Sequence, residues 1–107
     1  MSRQKVTGTS AETAVVRFLQ KNGWPSAERR ALTGSVDKGD ITGTPSICWE
    51  VKAGAAAMNA SDGQVSKWLE ETETERQNAF AAIGILVMKR RGISGNRAGE
   101  WWAVLDL

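Results

Sequence analysis

The sequence predicts an α/β fold, with one mixed β-sheet flanked by helices in the order αβββαβ and a final strand. Three features predict it. Ala11, Val15, Phe18 and Leu19 recur at helical spacing, residues 47–53 have the β-branched and aromatic content of a strand, and residues 81–88 form a short, almost wholly apolar run. A run of that length and composition suits a strand covered on both faces. At 107 residues the chain fits one domain with a single core.

Residues 1–7 read as a loose tail, with order beginning near Thr9. Thr9 can cap a helix over residues 11–22, and Gly23 can end it in a left-handed conformation. Trp24-Pro25 forces a turn before a short strand over 27–32, and the turn formers of 34–39 make a loop that delivers Asp40. Residues 40–42 are a short strand, joined through Gly43-Thr44-Pro45-Ser46 to the strand 47–53 as a hairpin. Ser61 or Asp62 can cap a second helix that runs to about Asn78. There Val65, Trp68, Leu69 and Thr72 share a face, while Glu70, Glu71, Glu73 and Glu75 are expected to face solvent. A basic, glycine-bearing loop then links strand 81–88 to a last strand over 101–105. Trp24, Trp49 and Trp68 read as core, whereas Trp101-Trp102 must place one indole on each face of its strand, one of them suited to a dimer interface.

Composition narrows the chemistry. Apolar residues make up 41% and charged residues 24%, the balance of a globular protein. The longest apolar run, 79–88, falls well short of the roughly 20 residues of a membrane-spanning helix, and the polar N-terminus lacks a signal-peptide core, so no membrane partner is expected. One cysteine allows no internal disulfide, and the absence of histidine removes imidazole as base or ligand. A metal, if held, is held by oxygen. The net charge of +2 hides clusters at Arg29-Arg30 and at Lys89-Arg90-Arg91 with Arg97. Guanidinium forks suit phosphate, and equally an ordinary solvated surface.

In strand 47–53, alternation puts Ile47, Trp49, Val51 and Ala53 on one face and Cys48, Glu50 and Lys52 on the other. Glu50 and Lys52 are then neighbours, either as a weak surface pair or as charges compensated by something bound. The hairpin brings Asp40 beside Glu50, and two adjacent carboxylates repel unless a cation lies between them. Asp40, Glu50 and the Val51 carbonyl offer the oxygens that Mg2+ prefers. Ser35 and Asp37 can hydrogen-bond a phosphate or the water shell of an ion, or simply form turns. Thr9 with Glu12, and Ser61 with Gln64, have capping-box spacing.

Gly39-Asp40, a turn, and then Glu50-Val51-Lys52 on an apolar strand resemble the PD-(D/E)xK nuclease superfamily, with glycine in place of the motif's proline. The element order over residues 10–88 is similar to that family's restriction-endonuclease-like core. The short chain, Glu12 on the first helix and Gln64 opening the helix after the motif look most like phage and archaeal-type Holliday-junction resolvases, whose pattern VRR-NUC domains share. The resemblance implies a Mg2+-dependent cut in branched or duplex DNA, with Mn2+ able to substitute. It implies Asp40 and Glu50 as metal ligands, Lys52 as catalytic, Glu12 binding metal or ordering the site, and Gln64 as a further active-site residue. It also implies a homodimer in the cytoplasm, that of the host if the source is viral. Arg29, Arg30, Ser35, Lys89, Arg90, Arg91 and Arg97 are the expected DNA contacts. Restriction-type, nicking or flap nucleases are the nearest rivals, and a non-catalytic DNA-binding module is the rival of another class.

Overall fold

The computed structural model describes residues 3–31 and 34–107. Its first helix, α1 (Arg3–Lys21), begins ahead of Thr9, so that residues 3–7, expected as a tail, form its first turns and Thr9 lies inside it rather than at a cap. The reason is tertiary. Thr7 packs beside Gly54, and such contacts override the weak helix propensity of Gly8 and its threonine neighbours. Ala11, Val15, Val16 and Leu19 form the buried stripe of α1, and Gly23 ends it at φ +113°, as the sequence suggests.

The chain then forms β1 (Glu28–Arg29), β2 (Ile41–Thr42), β3 (Ile47–Lys52), the short helix α2 (Gly54–Met58), α3 (Asp62–Asn78), β4 (Ile83–Met88), a 3-10 turn (Gly95–Glu100) and β5 (Trp102–Val104). The strands make one sheet in the order β1-β2-β3-β4-β5. Pairing is antiparallel except between β3 and β4, which run parallel from Ile47↔Ile83 to Lys52↔Met88. A parallel pair needs a crossover, and α2 with α3 supplies it. The expected mixed sheet flanked by helices is therefore the observed architecture.

Beyond the start of α1, other elements also differ from expectation. The strand expected over 27–32 shortens to Glu28–Arg29, and Leu32 lies outside the described residues. The strand expected from residue 81 starts at Ile83, because the Ala81 N–H is used to close α3 on the Arg76 carbonyl. Helix α2 stands where the sequence reading placed no element, although Ala55-Ala56-Ala57 is a run of the best helix former.

Two layers of core cover the sheet. Trp49, Val51, Val87 and Trp101 pack with α1 on one face, and Leu86 and Met88 pack with Trp68 of α3 on the other. The alternation expected along β3 holds, so Cys48, Glu50 and Lys52 share the face that carries α3. Trp102 remains exposed with the Arg90 guanidinium 4.1 Å from its ring centre, opposite the buried Trp101. Among the described residues no helix is long and apolar enough to cross a membrane.

Candidate metal centre

Asp40 reaches the site through a backbone device at Gly39. Gly39 sits at φ +94°, and a Cβ there would lie 2.8 Å from both Cys48 Sγ and the Trp49 carbonyl oxygen. Proline, locked near φ −65°, cannot take this conformation. The Gly39 N–H donates to Asp37 Oδ1 at 2.9 Å, a bond that proline would also remove. The Asp40 N–H then donates to the Trp49 carbonyl at 2.8 Å, and Asp40 Oδ2 accepts the Val51 N–H at 2.7 Å. This carboxylate is stitched to β3. Gly39→Ala is expected to lower stability by about 2–4 kcal/mol, from the positive φ and the clash together, read as a lower urea midpoint. A midpoint equal to wild type would contradict the close approach.

Glu50 is buried on β3 at 7% exposure and adjoins Asp40. Burial, and then the Glu50 carboxylate against it, push Asp40 up to about 8, opposed by the Val51 N–H. Burial, and then Glu75, push Glu50 up to about 8 against the lowering influence of Asp40 and Lys52. The expected pairing of two carboxylates from adjacent strands is present.

Glu75 corrects the sequence reading. It was grouped with the solvent-facing acids of α3, yet it is 3% exposed and points at the sheet. Trp68, Thr72 and Glu75, four and three residues apart, form one buried stripe. Both Glu75 carboxylate oxygens are buried without a hydrogen-bond donor among the described residues. Burial, with Asp37 and Asp40, pushes Glu75 up to about 7, Glu50 opposing. Asp37, Glu50 and Glu75 each bring a carboxylate oxygen within 4.8 Å of the others. The Asn78 side chain holds the Asp37 loop by donating to the Asp37 carbonyl at 2.9 Å. The adjacent Cys48 thiol, pushed up to about 12 by burial and by Glu75, donates to the Lys38 carbonyl and is no nucleophile.

The remaining expected site residues divide. Lys52 lies on the Glu50 face with its ammonium 3.6 Å from Glu71 and 5.5 Å from the Trp68 ring centre, so Glu71, also expected in solvent, has a partner in the site. Glu12 is salt-bridged to Arg29 at 3.1 Å. Burial and the charge of Asp40 raise its pKa, which puts Glu12 within electrostatic reach of the pair. The Val51 carbonyl leaves β3 on the same edge as its N–H, the edge that faces Asp40. Gln64 closes the α3 cap, its backbone N–H donating to Ser61 Oγ at 3.1 Å, and lies one helical turn before Trp68.

Among the expected phosphate contacts, Arg30 has its backbone N–H bound to the Asp40 carbonyl and its buried Nε without a partner. Ser35 is exposed. The late basic group is partly occupied. Arg97 pairs with Glu100 at 2.7 Å, Arg90 donates to the Glu100 carbonyl at 2.9 Å, Arg91 donates to Asn59 at 3.2 Å, and Lys89 lies over Trp101.

Hard divalent ions suit this donor set. The oxygens are carboxylates packed against one another, and the two Glu75 oxygens lack any donor among the described residues. The acidic cluster can therefore hold a metal ion. Comparison with protein-family models, with curated proteins and with solved structures finds no match.

Proposed function

We propose that this chain is a Mg2+-dependent endodeoxyribonuclease with a restriction-endonuclease-like core, acting on branched DNA in the manner of a Holliday-junction resolvase and working as a homodimer. One observation carries the reading: Asp40 and Glu50 meet from adjacent strands, with Lys52 following Glu50 on the same face of β3. The Gly39-Asp40 and Glu50-Val51-Lys52 spacing in that setting supports the nuclease class.

Asp40, Glu50 and the Val51 carbonyl would hold the ion, with Glu12 ordering Asp40 or joining them. Mg2+ held there would lower the pKa of a water and offset charge on a phosphate. Lys52 brings a positive charge to the same face, where it can stabilise the developing negative charge on the scissile phosphate. Its link to the half-exposed Glu71 is loose enough to exchange for a phosphate. The Val51 N–H fixes Asp40 in place, so the site needs little rearrangement to act.

DNA fits the surface beyond the carboxyl ends of the parallel strands, the usual ligand side of an open α/β sheet. A cleft of about 1010 Å³ opens there between α2 and the loop after β4, with Lys89 and Arg90 in its wall. Arg29, Arg30 and Ser35 flank Asp40, and with Arg91 and Arg97 they can track a backbone without reading sequence. A panel of four-way, flap and linear duplexes with Mg2+ or Mn2+ tests the proposal, the four-way junction being cut fastest. Equal cutting of linear duplex would move the substrate to a restriction-type one. Binding without cleavage under either ion would overturn the enzyme in favour of a DNA-binding module.

A further inference from the structure

The Asp40 and Glu50 pair leaves Glu75 unexplained. Glu75 enters from α3, and a nuclease site made of Asp40, Glu50 and Lys52 makes no use of it. Its two oxygens are buried and without donors among the described residues, in a residue 3% exposed. Two of the cations nearby are committed elsewhere. Lys52 pairs with Glu71, and Arg76, next along the helix, pairs with Glu73 at 2.7 Å and donates to the Ala81 carbonyl at 2.8 Å.

What surrounds Glu75 is acid. Asp37 and Glu50 each bring an oxygen within 4.8 Å of it, a spacing over which one hard cation can take one oxygen from each residue. Asp40 is not part of that trio, although it adjoins Glu50. Glu50 therefore belongs to two oxygen sets, adjoining Asp40 and lying within reach of Asp37 and Glu75. The Asp37 loop is braced for such a task, by Gly39 donating to its side chain and Asn78 donating to its carbonyl.

We propose that Asp37, Glu50 and Glu75 form a second divalent-cation site that shares Glu50 with the Asp40 site. Glu75 is a metal ligand supplied by α3, and the centre takes two ions with Glu50 between them. Two ions held by these residues would stabilise both the attacking and the leaving oxygen of a phosphodiester, which suits the proposed substrate class. This inference rests on the nuclease reading only in assigning the first ion to Asp40 and Glu50.

The test counts bound Mn2+ on the full chain by the loss of the free-ion electron paramagnetic resonance signal, without DNA. Wild type is expected to take up two ions. Glu75→Gln and Asp37→Asn are each expected to take up one, the second affinity falling by more than about a hundredfold. Asp40→Asn is expected to keep the Glu75 ion and lose the other. Because Glu75→Gln removes an unpaired buried charge, it should melt at or above the wild-type temperature without metal. The exposed Asp37 serves as the variant least able to disturb folding. One ion in wild type, or two retained in both Glu75→Gln and Asp37→Asn, overturns the second site. Two ions retained in Asp40→Asn, with one lost in Glu75→Gln, would overturn the first site and leave the second standing.

Discussion

Lys52→Ala is expected to cut four-way junctions about a hundred- to a thousandfold more slowly than wild type with Mg2+, while folding to the same extent. Its ammonium is partly exposed, and its ion pair with Glu71 is worth no more than about 1 kcal/mol, so its loss should barely change the melting temperature. Asp40→Ala is expected to lose at least as much activity, because it removes a ligand and leaves the Val51 N–H without its acceptor. Single-turnover cleavage beside circular-dichroism melts separates the two effects. Wild-type rates in either variant would remove the catalytic assignment, whereas lost cleavage with retained junction binding would support it.

The second large effect concerns stability without metal. Asp40 and Glu50 are pushed up to about 8 and Glu75 up to about 7, burial being the first cause in each. In the unfolded chain these groups titrate near their ordinary values of about 4. Between about pH 4 and pH 8 the folded protein therefore binds more protons than the unfolded one, and stability falls as pH rises through that window. Below pH 4 the groups are protonated in both states and impose no penalty. Above pH 8 the full penalty of the ionised cluster is present, on the order of several kcal/mol. Metal-free protein is expected to melt on the order of 10 °C lower at pH 8 than at pH 5. Saturating Mg2+ or Mn2+ should restore most of that loss at pH 8 and do little at pH 5, where protons compete for the same oxygens. A metal-free melting temperature that rises steadily across this window would show that the cluster is not strained by its own charge.

Much of this was legible in the sequence, for local reasons. Strand period separates Glu50 and Lys52 from Trp49 and Val51, and a turn through Pro45 is enough to bring Asp40 across. Ser61 and Gln64 have cap spacing, and α3 begins there as the spacing suggests. What failed depends on packing between distant segments. The start of α1 is held by contact near Gly54, a neighbour that no local signal indicates. Glu75 was misplaced because it follows a run of acids, and a run of acids reads as a wet helix face. The better signal was its spacing from Trp68 and Thr72, which continues the apolar stripe and sets a carboxylate against the sheet. Asp37 read as a turn former and is one, yet the same turn also carries it to Glu50 and Glu75. The basic residues were legible as clusters but not as contacts, since the pairing of Arg97 with Glu100 depends on a 3-10 turn expected as loop.

The measurement closest to the central claim is an anomalous-diffraction map of crystals grown with Mn2+. The account predicts a peak bridging Asp40 and Glu50, with the Val51 carbonyl among its neighbours. A map with no peak at that pair, under conditions where the protein binds Mn2+ in solution, would contradict it.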